Sequence, residues 1–191
     1  PLASPKLKLE TYALDPESAS RFLFIAGHLH DDIRDKRVVD LGCGTGVLAI
    51  GAALMGARLV AGVDIDKDSI QVAKENAARV GVDVDYVVGD IRVVRDSFDT
   101  VLMNPPFGCW DRGADIRFLE KALKASSKVY SLHKRGLANR RFLSNKISSL
   151  GGRVDQVFEL EITLPHTFEF HRKRSYRVAA DLYRIDGTRK K

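Results

Sequence analysis

Four consecutive residues, Asn104, Pro105, Pro106 and Phe107, could perform chemistry on an amino group. An exocyclic amine conjugated to a purine or an amide is a poor nucleophile, because its lone pair is delocalised. The Asn104 side-chain carbonyl and the backbone carbonyl of Pro105 can accept both amine protons and draw the nitrogen toward a tetrahedral geometry. The prolines stiffen the turn, and the Phe107 ring can stack on a base. The alternative is an ordinary proline-rich turn after a core strand, so the interpretation depends on context.

A glycine-rich segment upstream supplies that context. The β-branched run Arg37–Leu41 is followed by Gly-Cys-Gly-Thr-Gly at residues 42–46 and by a helical pattern at 47–50. This order predicts a strand, a turn and a helix. Glycines let the backbone turn tightly and approach a nucleotide, and the start of a helix directs unpaired N–H groups into the same space. We therefore expect a nucleotide-like ligand at this turn.

Acidic residues at the ends of the next two predicted strands indicate how that ligand is held. Asp64 lies about twenty residues past the loop, where a carboxylate can bind ribose hydroxyls. Asp90 ends the following strand, where it can accept a hydrogen bond from an adenine amino group. A nicotinamide cofactor would also suit the loop and Asp64. Together, three strand ends converge on one adenosine-like ligand, with the Asn-Pro-Pro-Phe turn beside it.

These motifs resemble those of the class I methyltransferases that use S-adenosylmethionine, and among them the amino-methyltransferases. Over almost its whole length the chain is similar to the methyltransferase-like protein five family, with its archaeal branch the nearer match. The segments that carry the likeness are Lys8 to Glu10, Tyr12, 103–108, 129–134 and 170–173. The resemblance implies an enzyme that makes N6-methyladenine in small-subunit (16S) ribosomal RNA, at one adenine near the decoding region.

The same resemblance assigns residues to the three parts of the site. It makes Asn104, Pro105, Pro106 and Phe107 catalytic, with the target adenine flipped out of its stack and held by Phe107. The residues implied to bind the cofactor are Thr11, Tyr12, Asp40, Gly42, Gly44, Thr45, Gly46, Asp64, Ile65, Asp90 and Ile91. The residues implied to meet the RNA are His133, Lys134, Phe170, His171, Arg172, Lys173 and Arg174.

Two details of this assignment leave alternatives open. The family's Glu-Gln-Tyr-Pro-Thr element reads Glu-Thr-Tyr-Ala-Leu at residues 10–14, so Leu14 supplies no hydroxyl to the cofactor, although Thr11 could partly substitute. His133 could contact the target nucleotide or could equally be a structural residue. It need not act as a base, because the amine can lose its proton after methyl transfer.

Composition predicts a single domain over residues 1–191, with a cofactor-flanking segment at 1–14 and a basic tail at 186–191. At 191 residues and 45% hydrophobic, the chain can bury a full core. No stretch approaches the roughly 20 apolar residues of a membrane span, and no signal-peptide pattern is present. Cys43 and Cys109 have no metal-ligand spacing, which favours a site without metal. Cys43 lies in the glycine loop, where a disulfide would obstruct binding, so we expect a reducing cytoplasm.

Positive charge is concentrated in the second half of the chain. Residues 1–120 carry a net charge of −5, whereas residues 121–191 carry +11. Because the first half of this fold chiefly builds the cofactor site, the basic half predicts a phosphate-binding surface at the substrate side. Aromatic residues interleave with the basic segment 171–174, a combination that favours unpaired bases. The alternative is a solvated surface with a disordered tail.

The coarse pattern alternates strands and helices. A helix opens at Asp15 and Pro16, with Phe22, Ile25 and Leu29 on one face. Another begins at Asp66 or Asp68 and ends at Gly81. The apolar run 98–103 predicts a buried strand, a polar loop follows at 108–115, and two β-rich runs at 154–164 and 176–185 finish the chain. The prediction is an α/β class I methyltransferase (Rossmann-like) fold, with a seven-stranded, mostly parallel sheet, helices on both faces and one antiparallel terminal strand. Ligands should lie at the carboxyl edge of the parallel strands.

The third strand should form one edge of that sheet. Its apolar residues Val82, Val84, Tyr86 and Val88 alternate with aspartates. The resemblance implies that a small zinc-binding activator protein docks on this edge by adding a strand. The alternative is that the aspartates simply protect the edge from pairing.

Two other functions fit part of the pattern. A protein-glutamine N5-methyltransferase uses the same carbonyl arrangement on a side-chain amide, usually with Tyr as the fourth motif residue, whereas this chain has Phe107 and a basic second half. A non-catalytic RNA-binding relative is conceivable because Thr11 and Leu14 depart from the family pattern. A DNA adenine methyltransferase fits less well, because the chain has no room for a target-recognition domain.

Overall fold

Strands and helices alternate along the residues that the computed structural model describes, which are 14–95, 98–106, 113–165 and 175–187. The helices are α1 (Pro16–Leu23), α2 (Val47–Leu54), α3 (Lys67–Val80), α4 (Ala114–Ala125) and α5 (Leu137–Ser149), with a π-helix at Phe24–Leu29 and a 3₁₀ turn at Ile91–Val93. The strands are β1 (Arg37–Leu41), β2 (Leu59–Asp64), β3 (Asp85–Val88), β4 (Phe98–Met103), β5 (Ser126–Lys134), β6 (Arg153–Pro165) and β7 (Ser175–Asp186).

All seven strands form one sheet in the order β3-β2-β1-β4-β5-β7-β6. The pairs among β1 to β5 are parallel, and β7 runs antiparallel to both β5 and β6. The predicted class I methyltransferase fold is therefore confirmed, including its one antiparallel strand. Strand order reverses between β1 and β4, and a reversal of this kind opens a crevice at the carboxyl edge of the sheet.

Two apolar cores cover the two faces of the sheet. Successive strand residues point to opposite faces, so Leu102 lies in the first core and Met103 in the second. The first core includes Phe22 of α1 and residues of α2, and the second includes Leu119 of α4 and Leu143 of α5. The helices thus hold β1 and β4 rigidly from both sides, directly below the crevice.

Capping residues fix where the helices begin. Asp15 accepts the Ser18 N–H at 3.1 Å at the start of α1, and it also accepts the Thr163 N–H of β6 at 2.8 Å. Asp66 accepts the Ser69 N–H at 3.3 Å at the start of α3, which ends at Gly81 with a φ of 75°. Both caps match the sequence prediction.

A largely buried ion network ties the segment before β1 to the last strands. The Arg184 guanidinium donates from Nε to Asp32 Oδ2 at 3.0 Å and to Tyr130 Oη at 2.9 Å, while Tyr130 Oη donates to Asp32 at 2.6 Å. Arg184 also contacts Asp155 of β6. Because Asp32 has two donors, its charge is compensated in an apolar region.

The structure corrects three sequence expectations. The first helix does not continue to Leu29: α1 ends at Leu23 and a π-helix follows, which leaves Leu29 exposed instead of on the buried face. Strand β3 spans only Asp85–Val88, which is shorter than the predicted alternation. The apolar alternation holds only as far as Tyr86, because Val88 is exposed at the sheet edge. Helix α4 begins at Ala114, so the polar segment before it is shorter than the predicted 108–115.

None of the helices in the described ranges combines the length and apolar character needed to cross a bilayer. Cys43 is buried with a free thiol, and Cys109 lies outside the described residues.

Candidate functional site

The strand register brings three predicted site residues to one level of the carboxyl edge. Leu41 of β1 pairs with Val63 of β2 on one side and with Met103 of β4 on the other. The residues that follow these three are Gly42, Asp64 and Asn104. Neighbouring strands lie about 4.8 Å apart, so the turn after β4 begins one strand away from the glycine loop. The predicted catalytic and cofactor segments are therefore adjacent.

Asn104 has the property that the sequence argument requires. Its Oδ1 atom is buried and has no hydrogen-bond partner among the described residues. Burying a carbonyl oxygen without a donor costs free energy, so this atom is suited to accept a hydrogen bond from a bound group. Pro105 is buried and Pro106 half-buried beside it. Phe107, the fourth residue of the motif, lies outside the described residues.

The glycine loop is held by the ends of β1 and β2. The Gly42 N–H donates to the Val63 carbonyl at 2.8 Å, and the Gly44 N–H donates to Asp64 Oδ2 at 2.8 Å. Gly44 has a φ of +52°, and a Cβ atom built on it would meet no atom within 4 Å. The loop therefore presents open space at Gly44, where a ligand can approach the backbone.

Asp64 orients the loop with both carboxylate oxygens. Besides Gly44, it accepts the Asp66 N–H on Oδ1 at 2.8 Å. Burial raises the pKa of Asp64, although these N–H groups favour the charged form and oppose the shift. The carboxylate therefore has a structural function at the loop. Its predicted contact with a ribose stays a prediction.

Asp40 is a second, fully buried acid beneath the loop. Its Oδ2 accepts the Ala49 N–H of α2 at 3.1 Å. Burial raises the pKa of Asp40 to about 7, with the Ala49 N–H opposing the shift and the charge of Asp64 adding to it. Asp40 thus attaches α2 to the end of β1, and its predicted contribution to cofactor binding stays a prediction.

Two aromatic rings support the loop from opposite sides, and sequence reasoning missed both. A Cβ atom on Gly42, whose φ is +69°, would lie 2.9 Å from the ring of Phe118 in α4. A Cβ atom on Gly46, whose φ is +85°, would lie 2.3 Å from the Tyr86 hydroxyl of β3. The only sequence signal was Tyr86 itself, a single aromatic residue in a strand whose other apolar residues are all valine.

The remaining cofactor candidates surround the same crevice. Ile65 is exposed directly after β2, and Ile91 is half-buried after β3. The Thr45 carbonyl accepts the Asn76 side-chain amide of α3 at 3.1 Å. Asp90 accepts the Arg92 backbone N–H at 2.8 Å and its Nε at 2.9 Å, and these bonds lower the pKa of Asp90. Asp90 therefore remains charged, as an acceptor should.

His133 is placed differently from an RNA-contacting side chain. It is only 2% exposed, its Nε2 shares a 2.6 Å hydrogen bond with Ser131 Oγ, and its ring meets that of Tyr183 edge-on at 5.6 Å. Burial lowers its pKa to about 4, with the charge of Asp181 opposing the shift. These contacts favour the structural alternative for His133. The neighbouring Lys134 is exposed.

A second ion network joins α5 to the last two strands. Asp181 of β7 is fully buried and binds Arg140 Nε at 2.6 Å and Arg135 Nε at 3.2 Å. Arg140 also binds Glu159 of β6 at 2.7 Å. Because four charges converge here, the start of α5 is held against β6 and β7.

The β6–β7 pair extends past the carboxyl edge of the parallel strands. The last residue of β5, Lys134, pairs with Ala180, whereas the pairing of β6 with β7 continues to Pro165 and Ser175. In the sequence, the predicted basic segment follows β6 and precedes β7. Its residues lie outside the described ranges, as do two cofactor candidates; they are Phe170, His171, Arg172, Lys173 and Arg174, and Thr11 and Tyr12.

Comparison with known proteins agrees with this geometry. Residues 14–136 match the model of the methyltransferase small domain family. Together with the fold and the glycine loop, the match defines a class I methyltransferase that uses S-adenosylmethionine. The residues present fit this cofactor, because Gly44 faces open space and Asn104 Oδ1 lacks a partner in the adjacent turn.

Full-length relatives define the family more closely. The rRNA N(6)-adenosine-methyltransferase METTL5 of Danio rerio is 38% identical over 96% of this chain and 91% of its own length. An uncharacterized protein of Methanocaldococcus jannaschii is 37% identical over 96% of this chain and 87% of its own length. The crystal structure of a candidate RNA methyltransferase from Pyrococcus horikoshii has a TM-score of 0.90 and 38% identity, and the match covers 97% of this chain and 91% of that one. The chain belongs to the METTL5 family of methyltransferases.

Proposed function

We propose that this protein transfers a methyl group to N6 of an adenine in small-subunit ribosomal RNA, near the decoding region, in the cytoplasm. The observation that carries the proposal is the buried, unpartnered Oδ1 atom of Asn104, one strand away from the glycine loop. The printed function of the METTL5 relatives supports the RNA adenine as substrate. The basic second half of the chain supports a polyanionic partner.

Asn104 and Pro105 would prepare the target amine for attack. The Asn104 Oδ1 atom and the Pro105 backbone carbonyl accept its two protons, which localises the nitrogen lone pair. Bound S-adenosylmethionine supplies the electrophilic methyl group. The two carbonyls act mainly by orientation and by hydrogen bonds that strengthen as positive charge develops on nitrogen. No general base is required for the attack, which agrees with the buried, neutral state of His133.

The cofactor would lie across the ends of β1, β2 and β3. The Gly44 backbone borders its methionine part, Asp64 and Ile65 lie at the level of its ribose, and Asp90 with Ile91 follows β3 at the level of its adenine. The reacting end of the cofactor would then lie beside Asn104, because β1 and β4 are neighbours in the sheet.

Substitution of Asn104 tests the reaction. Asn104→Ala should lower kcat on unmethylated small-subunit RNA by about 10²–10³, the usual effect of removing one preorganised hydrogen-bonding group, while calorimetry shows unchanged affinity for S-adenosylmethionine. Asn104→Asp keeps an acceptor oxygen and should retain part of the activity. Mass spectrometry of RNA nucleosides identifies the product. Full activity of Asn104→Ala, or methyl transfer to a protein glutamine instead of RNA, would contradict the proposal.

The β3 edge supports a proposed protein partner. Strand β3 ends the sheet, and Val87 (42% exposed) and Val88 present apolar side chains there. We propose that a small zinc-binding activator protein adds a strand to this edge. Mixing the two proteins should raise the melting temperature, and Val87→Lys should prevent the rise. Val157→Lys, on the opposite sheet edge β6, is the matched control. Equal stability and activity of the chain with and without the partner would refute this docking.

A further inference from the structure

The outward side of α5 combines exposed apolar residues with unpaired cations. Leu137 is 80% exposed and Phe142 is 53% exposed, and Arg141 is exposed between them. On a helix, residue 137 neighbours 141 and residue 138 neighbours 142, so these side chains form two adjacent columns. We define the α5 outer face as Leu137, Ala138, Arg141 and Phe142.

The packing of α5 fixes the α5 outer face toward solvent. Leu143 and Ile147 are fully buried in the second core, and Arg140 is bonded to Asp181 and Glu159. These three residues occupy the inner side at spacings of three and four, so the outer face must point to solvent. The exposed phenyl ring is therefore a fixed feature of the surface.

Acids outside this segment compensate only part of its charge, since Arg135 and Arg140 pair with Asp181 and Arg153 pairs with Asp186. Residues 134–154 contain six Lys and Arg and no Asp or Glu. Some exposed cations elsewhere pair with nearby acids, as Arg21 does with Glu17 and Lys124 with Glu120. Within the described ranges, Lys134 and Arg141 have no acidic partner. A surface with free cations around an aromatic ring fits nucleic acid better than an apolar protein surface, because bases stack on rings while cations hold phosphates.

The outer face is also near the reaction site. Helix α5 starts three residues after Lys134, the end of β5, and β5 is the direct neighbour of β4 at the carboxyl edge. The Asp181 network fixes the same turn of α5 against the β6–β7 pair, which projects past that edge. The first turns of α5 thus lie between the Asn-Pro-Pro turn and the projecting hairpin.

We propose that the α5 outer face binds unpaired RNA flanking the target adenine, with Phe142 stacking on a base and Arg141 and Lys134 contacting phosphates. This inference rests on the proposed RNA substrate and names a surface for it outside the catalytic turn. It accounts for the exposed ring, the absence of acids from residue 134 to 154, and the rigid attachment of α5 at the substrate side.

Binding of a fluorescent single-stranded RNA containing the target sequence tests the surface without requiring turnover. Phe142→Ala should weaken binding about tenfold, as loss of one stacked base does. Phe142→Tyr should keep the affinity, and Phe142→Leu should lose it, because Leu keeps apolar volume without a ring. Arg141→Glu should weaken binding and reduce the slope of log K against log salt by about 1.

Matched controls lie on other parts of the surface. Phe24→Ala removes a similarly exposed ring, 54% against 53% for Phe142, on the opposite face of the sheet. Arg79→Glu reverses an exposed cation at the end of α3, which lies at the far edge of the sheet. Both controls should bind RNA as the unmodified protein does, and all variants should keep their melting temperature and affinity for S-adenosylmethionine.

The outcomes separate this inference from the proposed reaction. Unchanged RNA affinity in Phe142→Ala and Arg141→Glu would overturn the inference. It would also be overturned if these variants lost self-association and kept RNA binding, because the face would then be a contact between copies of the chain. RNA binding that depends on Phe142, without any N6-methyladenine formed, would support the RNA surface and refute the reaction. If the protein forms N6-methyladenine and substitutions in the α5 outer face leave RNA affinity unchanged, the reaction would be supported and the RNA surface refuted.

Discussion

Alanine substitutions at Gly44 and Gly46 should differ in how much they lower stability and cofactor affinity, although both glycines have positive φ. A left-handed conformation costs a non-glycine residue about 1–2 kcal/mol, and both variants carry this cost. A Cβ atom at position 46 would also lie 2.3 Å from the Tyr86 hydroxyl and 3.0 Å from the Ala73 Cβ atom, whereas one at position 44 meets nothing within 4 Å. Overpacking typically adds about 1–3 kcal/mol.

These values predict distinct melting temperatures. For a chain of this length, 1 kcal/mol corresponds to roughly 2–4 °C, so Gly44→Ala should lower the melting temperature by roughly 2–8 °C. Gly46→Ala should lower it by about twice as much, because the two costs add to about 2–5 kcal/mol. Cofactor affinity should show the reverse order, because the new methyl group at Gly44 enters the open space in front of the loop. Calorimetry with S-adenosylmethionine and thermal unfolding measure the two effects.

A double substitution tests the cause. Tyr86→Phe removes the oxygen atom closest to Gly46 and leaves the ring, whose Cζ atom lies 3.1 Å from the added Cβ position. In the Gly46→Ala background it should recover part of the lost stability, and in the Gly44→Ala background it should recover none. Equal shifts in melting temperature for the two glycine variants, or no recovery with Tyr86→Phe, would show that the described contact between β3 and the loop is wrong.

Three further predictions concern buried charges. The folded chain keeps a proton on Asp40 up to about pH 7, whereas the unfolded chain releases it near the ordinary pKa of about 4. The contribution of Asp40 to stability therefore falls as pH rises from about 4 to about 7. Urea unfolding at about pH 5 and about pH 7.5 should show this fall, and Asp40→Asn should remove it. The pH dependence of the His133 contribution to stability has the opposite sign, because its folded pKa is about 4 and its unfolded pKa about 6.5. This contribution rises with pH between these two values, and His133→Asn should flatten the rise. Arg184→Met leaves the Asp32 carboxylate without its charged partner and should cost about 3–5 kcal/mol in the free energy of unfolding, whereas Arg21→Met at an exposed pair should cost less than about 1 kcal/mol.

Local pattern was sufficient to predict most elements of the fold. Strand β4, Phe98–Met103, coincides with its predicted apolar run, and α3 begins and ends at its predicted cap and glycine. The failures have a physical cause outside the local sequence. Strand β3 pairs only with β2, and the register of that pairing begins at Asp85, which local sequence does not specify. The π-helix at Phe24–Leu29 replaces a regular helix whose apolar spacing looked continuous.

The candidate site likewise has one part that was predictable from the sequence and one part that was not. The glycine loop, Asp64 and the turn at Asn104 were predictable, because each directly follows a recognisable strand. The supporting contacts of Tyr86 and Phe118 were not, since they depend on how β3 and α4 pack against a loop distant in sequence. Burial of His133 was equally hidden, because it depends on β7 pairing alongside β5 and on α5 packing against that face of the sheet.

The position of β7 affects how the protein is made. This strand is inserted between β5 and β6, although β6 precedes it along the chain. During synthesis, β5 consequently lacks its native neighbour on that edge until β7 has been made, and Asp181 and Arg184 reach their partners only then. A nascent chain that stops before Ser175 would carry an aggregation-prone strand edge. The stability of the sheet therefore depends on translation of β7.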